Sequence, residues 1–287
     1  MSFDTFLSVL LTPWCLGILG LCVGSFLNVV IHRLPQMLER QWRAEGAEAL
    51  GVAPPKEDQQ PLTLSKPDSR CPKCGHAIRW FENIPLVSWL FLKGKCSACK
   101  TPISVRYPLI ELATGVLFVA CWWRFGSQPA TLAWCGFVAV LLAASAIDWD
   151  TTLLPDSLTL PLLWAGLLFA LLGWNNIELK DALWGAIAGY LSLWSVYWLF
   201  KLTTGKEGMG FGDFKLLAAL GAWLGWSMIL PIVLGSSLIG AVVGIGLKVS
   251  GGLREGRYVP YGPFLAGAGL CVLFAGREQV MSWLGWA

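Results

Sequence analysis

Ala130-Thr-Leu-Ala-Trp-Cys-Gly-Phe-Val-Ala-Val-Leu-Leu-Ala-Ala-Ser-Ala-Ile147 runs for eighteen residues without a charge and then meets Asp148. A helix needs about 20 apolar residues to cross the roughly 30 Å of hydrocarbon in a bilayer. This run is close to that length, and it has company. Working outward, comparable stretches lie at about Phe6 to Ile31, Leu109 to Trp123, Ser157 to Gly173 and Ala182 to Phe200, then Phe214 to Trp226, Met228 to Val249 and Pro263 to Ala275. The Phe214 stretch is short and has room to continue to Leu230 before Pro231 breaks it. Over 287 residues the chain is 55% hydrophobic and 14% charged, with 17 Trp; a soluble domain carries roughly 25% charged residues. Its mean hydropathy is +0.60. Low charge and high aromatic content exclude a disordered chain. Length and scattered cysteines exclude a disulfide scaffold, and a soluble enzyme has too little volume to hide this much apolar surface. The expected fold is an all-α polytopic membrane protein with about eight transmembrane helices.

The charges set the organisation. Twelve of the 21 basic residues lie between Arg33 and Arg106. Lys and Arg concentrate on the cytoplasmic side of membrane proteins, so this segment is expected to be cytoplasmic. Eight alternating spans then put eighteen basic residues inside and only Arg124, Lys180 and Arg277 outside. Met1 to Thr5 carries Asp4 and no basic residue, which argues for an anchor with its N-terminus outside rather than a cleaved signal. Three parts result: residues 1–32 as the first span, 33–107 as a cytoplasmic insert, and 108–287 as a core of about seven spans. Within the insert, Glu39, Arg40, Arg43, Glu45 and Glu48 suit a short amphipathic helix that Pro54-Pro55 would end. No long internal repeat is visible.

Inside the insert, Cys71-Pro-Lys-Cys74 and Cys96-Ser-Ala-Cys99 are separated by 21 residues. Two knuckles of this spacing close a tetrahedral shell of four sulfurs around one ion, and such a shell favours zinc over iron–sulfur chemistry. Transient disulfides or four free thiols are the plainer readings, although disulfides rarely persist in the cytoplasm. A closed four-sulfur site is structural rather than catalytic, and metal would supply folding free energy to an insert with little core. His76 is a possible competing ligand, and His32 an interfacial residue. Cys15, Cys22, Cys121, Cys135 and Cys271 lie in apolar runs and read as small core residues.

Acids in or beside spans are costly and usually functional. Glu111, Asp148, Asp150, Asp156 and Asp213 are the candidates. Asp148 stands at a helix C-terminus, the unfavourable end of the helix dipole for an anion, so stability explains it poorly. Asp156 reads as an N-cap and Asp150 as a solvated loop acid. Asp213 follows Gly208-Met-Gly210-Phe-Gly212. On position alone an N-cap accounts for it equally well. The alternating glycines let a backbone pass close to its carboxylate or let an extended peptide pair beside it. The topology puts Asp148 and Asp213 at one membrane face, where two carboxylates sharing a water can split the roles of base and acid. That is the chemistry of aspartyl peptide hydrolysis.

Four stretches then resemble one family. Gly208-Met-Gly-Phe-Gly-Asp213-Phe-Lys-Leu-Leu217 is similar to the GxGD signature of bacterial prepilin peptidases. Gly24-Ser-Phe-Leu-Asn-Val-Val-Ile-His-Arg-Leu-Pro35 resembles the end of that family's first span, with His32 where Tyr is more usual. Cys71 to Cys74, Asn83-Ile-Pro85, Ser88-Trp89, Gly94-Lys-Cys96, Cys99, Arg106-Tyr-Pro108 and Glu111 resemble its zinc-bearing insert. Asp148 with Leu153-Leu-Pro-Asp156 resembles its first aspartate motif. The likeness runs from about Gly24 to about Pro263, and residues 36–66 match nothing.

The resemblance implies a bifunctional enzyme of the bacterial inner membrane. It would cut the basic leader from type IV prepilins or type II secretion pseudopilins at the cytoplasmic face, typically after a Gly. It would then methylate the new N-terminal residue, usually Phe, with S-adenosylmethionine. By the same resemblance Asp148 and Asp213 are catalytic, Gly210 and Gly212 support their loop, and Cys71, Cys74, Cys96 and Cys99 hold zinc in the region linked to methyl transfer. The implied partners are pilin precursors and lipid, with no nucleic acid. Glu82 and Gly94 are candidates for methyl transfer, and no residue is assigned to S-adenosylmethionine. Two other readings stand beside this one. A transporter with a zinc-stabilised cytoplasmic domain would need acids near the bilayer midplane and interrupted spans in repeated halves. A presenilin-like protease would need both Asp deep in the membrane.

Overall fold

In the computed structural model, residues 11–53, 55, 58, 61–250 and 259–286 are described. The start of the first expected span, the Met1–Thr5 anchor, Pro54, Glu57, Gln59 and Gln60 of the insert, and Lys56, Arg254 and Arg257 of the charge count lie outside them. Among the described residues the chain is helical, without a strand: α1 Pro13–Ala49, α2 Val87–Phe91, α3 Arg106–Phe125, α4 Pro129–Thr151, α5 Asp156–Leu171, α6 Leu179–Thr204, α7 Phe211–Leu224, α8 Ile229–Val249, α9 Gly262–Ala275 and α10 Arg277–Trp283. Among the described residues a helix occupies every one of the eight apolar stretches. Of these described helices, five candidate spans pass on length and apolarity, namely α1, α3, α4, α6 and α8 with the 3-10 turn before it; the bent pair α9 and α10 makes a sixth if counted as one. The helix α5 is apolar but shorter.

The chain divides into two compact units, Met1–Ala139 and Val140–Ala287. In the first, α1 and α3 run antiparallel. Small residues let their backbones close up, as is usual between membrane helices. A Cβ at Gly20 would lie 2.8 Å from the Gly115 Cα, and one at Gly24 would lie 2.7 Å from the Glu111 Cα. Helix α1 does not stop where the charges begin. Its 37 residues extend about 55 Å at 1.5 Å per residue, roughly 25 Å more than the hydrocarbon thickness. The amphipathic segment expected near Glu39 to Glu48 is the end of this one helix rather than a separate element. Its basic residues hold the returning chain. Arg33 donates to the Thr63, Leu64 and Pro67 carbonyls at 3.0, 3.3 and 2.6 Å, and Arg40 and Arg43 pair with Asp58.

In the second unit α7 is the axis. Every residue from Asp213 to Leu224 except Lys215 is buried. A Cβ at Gly185 of α6 would collide with the Gly221 backbone, and one at Gly189 would lie 2.6 Å from the Leu217 carbonyl. On the α5 side, Trp223 sits against Gly166 and donates its Nε1–H to the Leu162 carbonyl at 2.8 Å. Gly269 of α9 receives Leu220. This explains why the Phe214 stretch is short for a span. A 14-residue helix covers about 21 Å, and one surrounded by other helices need not match the hydrocarbon thickness.

Candidate functional site: a buried carboxylate pair and a four-sulfur module

Asp148 lies in the last turn of α4 and Asp213 in the first turn of α7. They are 5% and 7% exposed and close enough for their charges to interact. Gly210 is the N-cap of α7 with extended backbone, so the cap position is glycine and not Asp213. Lacking a Cβ, Gly212 lets α7 press on Leu154, where an added methyl would lie 2.6 Å from the Leu154 Cβ. The loop before it is fixed from behind. Tyr197, Phe211 and Phe214 pack ring against ring at 5.2 to 5.7 Å. Lys201 pairs with Glu207 at 2.8 Å.

A third helix completes the site. The backbone N–H of Gly262, first residue of α9, donates to Asp148 Oδ2 at 3.0 Å. Asp148 therefore stands at the wrong end of its own helix and the right end of another, where N–H groups and dipole both favour an anion. Tyr261, just before it, is held by the Ser236 and Ser237 hydroxyls at 2.6 and 3.1 Å. A Cβ at 262 would lie 2.6 Å from Asp148 Oδ2, so any larger residue there must displace the carboxylate. Asp213 Oδ1, by contrast, is buried with no hydrogen-bond partner among the described residues. Such an oxygen is costly in a merely structural role.

The remaining acids sort differently. Asp156 is not a cap: Pro155 holds that position and Asp156 pairs through both oxygens with Lys215, at 2.6 and 2.8 Å. This ties the start of α5 to α7 two residues beyond Asp213. Asp150 is exposed but helical, at the end of α4. Glu111 is buried and accepts the Leu86 N–H at 2.8 Å. The sequence reading missed Gly262 and Lys215. The signal for the first was Tyr261-Gly-Pro263, since Gly-Pro marks a turn and Pro suits the opening of a helix.

We predict that Gly262→Ala lowers the turnover of this site about a hundredfold, the cost of roughly 1 Å of misplacement. The backbone of Gly262 is helical, so alanine is tolerated there except for its methyl against the carboxylate. The check is kcat measured beside melting temperature, with kcat falling and the melting temperature holding.

In the insert the four cysteine sulfurs lie within 4.8 Å of one another. Cys71 and Cys99 are 3.7 Å apart and Cys74 and Cys96 are 4.0 Å apart. A tetrahedron with 2.3 Å zinc–sulfur bonds has edges of about 3.8 Å, so the donor set fits zinc. The two knuckles repeat one another, a short-range repeat the sequence reading did not register. Each is closed by a β-bridge, Arg70 to Ala77 and Lys95 to Pro102. The Cys71 and Cys96 N–H groups donate to the His76 and Thr101 carbonyls, and the Gly75 and Lys100 N–H groups return to Cys71 and Cys96. Gly75 and Lys100 both take positive φ, +70° and +59°.

Electrostatics agree with a cation. The Thr101 hydroxyl and N–H hold the Cys99 thiol down to about 6, and the Cys74 and Lys73 N–H groups lower Cys71. At Cys74 the His76 N–H favours the thiolate, yet desolvation and the neighbouring sulfurs push the thiol up to about 11. Thiols this close cannot all ionise without a shared positive charge.

His76 stands outside the sulfur cluster, its Nε2 3.2 Å from both Glu82 Oε2 and Ser97 Oγ. The Arg79 N–H, with Ser97 and His76, keeps the Glu82 carboxyl down near 2. Glu82 thus bridges the two knuckles. Gly94 has φ +66° and packs on the Trp89 ring, which accounts for it as a turn residue. His32 meets Gln36 on α1.

Fold and site define a class: a helical membrane protein with a buried carboxylate pair and a four-cysteine module. Residues 18–125 match the bacterial peptidase A24 N-terminal domain and residues 135–245 the type IV leader peptidase family. The chain is 53% identical to a prepilin leader peptidase/N-methyltransferase of Stutzerimonas stutzeri, covering 95% of this chain and 94% of the relative. It is 54% identical to the protein of the same name from Pseudomonas aeruginosa, over 95% and 93%, and 53% identical to that from Aeromonas hydrophila, over 94% of each. This chain belongs to the type IV leader peptidase family. No solved structure matches it.

Proposed function

We propose that this protein removes the leader from type IV prepilins or type II secretion pseudopilins and N-methylates the residue so exposed. The observation that carries the reading is the burial of Asp148 and Asp213 in one site, the first met by the Gly262 N–H and the second with a free oxygen among the described residues. Peptide hydrolysis there needs one ionised and one protonated carboxylate. The ionised one takes a proton from water as its oxygen bonds to the scissile carbonyl carbon. The protonated one gives its proton to the leaving amine as the carbon–nitrogen bond breaks. Asp148 and Asp213 fill these two roles as a pair; Gly210 leaves room for the substrate backbone beside the Asp213 carboxylate, and Gly212 seats the loop against Leu154.

By the Lys and Arg bias the insert and both aspartates face the cytoplasm of a bacterial inner membrane, and the N-terminus lies outside. Basic leaders lie on that same side. The working parts are the first span at 1–32, the insert at 33–107 and the peptidase core at 108–287. Cys71, Cys74, Cys96 and Cys99 hold zinc, which shapes the insert, and the insert serves methyl transfer from S-adenosylmethionine. The test uses the purified chain in vesicles with a full-length prepilin and S-adenosylmethionine. A shortened pilin with a methylated N-terminus is expected; an unshortened pilin would reject the reading.

A further inference from the structure

The insert carries an apolar surface that its own fold leaves uncovered. Val87, Leu90 and Phe91 are 45%, 67% and 83% exposed, and their spacing puts them on one face of α2. Trp80, Phe81 and Ile84 beside them are also exposed. A soluble module of this size would bury such a group or use it.

The depth of this surface is fixed by a hydrogen bond. The Leu86 N–H donates to Glu111 Oε2 at 2.8 Å, and Glu111 lies within the transmembrane helix α3, five residues beyond its start at Arg106. At 1.5 Å per residue that is about 7 Å along the span. The turn is not accidental, because Leu86 and Lys93 bracket the segment with φ of +58° and +52°. Side chains rarely adopt such values unless surrounding contacts hold them. The segment is thus tied, by a specific bond and at a conformational cost, to the level where a span meets the headgroups. An apolar stripe of α3 itself, Leu109, Leu112 and Val116, is exposed from the same level onward. Exposed Arg79, Lys93 and Lys95 lie beside it, suited to anionic headgroups.

We propose that residues 80–91 seat the zinc module in the lipid bilayer, with Val87, Leu90 and Phe91 at the boundary between headgroups and acyl chains. Interfacial helices bury an apolar face about 5–10 Å into that boundary, which is the depth Glu111 imposes. The seat is independent of the catalytic reading, since it uses only the span and the insert.

The test places the photocrosslinker p-benzoyl-L-phenylalanine at position 90 or 91 of the full chain in phosphatidylglycerol-containing vesicles. The control position is Trp42, an exposed aromatic on the projecting part of α1, roughly 20 Å beyond the level where Asn28 meets Tyr107. Metal content shows that each variant's insert is folded. Lipid adducts several-fold more abundant at 90 and 91 than at 42 are expected. Equal lipid labelling at all three positions, or adducts at 90 and 91 made with prepilin or with a second copy instead of lipid, would overturn the proposal.

Discussion

Asp148→Asn and Asp213→Asn proteins are expected to cleave leaders slower by roughly three orders of magnitude or more, while remaining folded in the membrane. Asparagine keeps the shape of the side chain, and its oxygen can still accept the Gly262 N–H that now reaches Asp148 Oδ2. What it removes is the exchange of protons. Because the two carboxylates act as one unit, the double variant should be no worse than either single one. Initial rates on a single prepilin provide the comparison. A single variant that keeps a tenth of the wild-type rate would mean that the pair is not the machinery.

Loss of the metal should have the second largest effect. Structural zinc contributes an apparent binding free energy of about 10–16 kcal/mol, and the knuckles around it have few buried side chains besides Cys71 and Cys96. Cys96→Ser is expected to abolish stoichiometric zinc, to loosen the insert in hydrogen exchange, and to lower methylation more than about tenfold. Leader cleavage should largely persist, since both aspartates belong to the other compact unit. Full methylation by a chain shown to hold no metal would remove zinc from the account.

The two effects differ in how visible they were beforehand. Cysteines at knuckle spacing and an acid after alternating glycines are local patterns, so Cys71 to Cys99 and Asp213 stood out in the sequence. The apolar runs located the helices equally well, because hydrocarbon demands length and apolarity of any span. Hydropathy marks where a membrane ends, however, and not where a helix does. Charges begin at Arg33, yet α1 continues to Ala49 because Glu39, Arg40, Arg43 and Glu45 are sound helix formers. Asp156 looked like a cap because its neighbours in sequence were in view and Lys215, 59 residues away, was not. Gly262 is 114 residues from the carboxylate it holds. Gly262-Pro263 marks the turn, but a backbone donor has no side chain to show which group it meets, and packing supplies that.

The most direct measurement is the intact mass of a prepilin after incubation with S-adenosylmethionine and the purified protein in vesicles, as wild type, Asp213→Asn or Cys96→Ser. A shortened and methylated pilin, an unshortened one, and a shortened but poorly methylated one are expected, respectively. A shortened pilin from the Asp213→Asn protein would contradict the catalytic role of the aspartate pair.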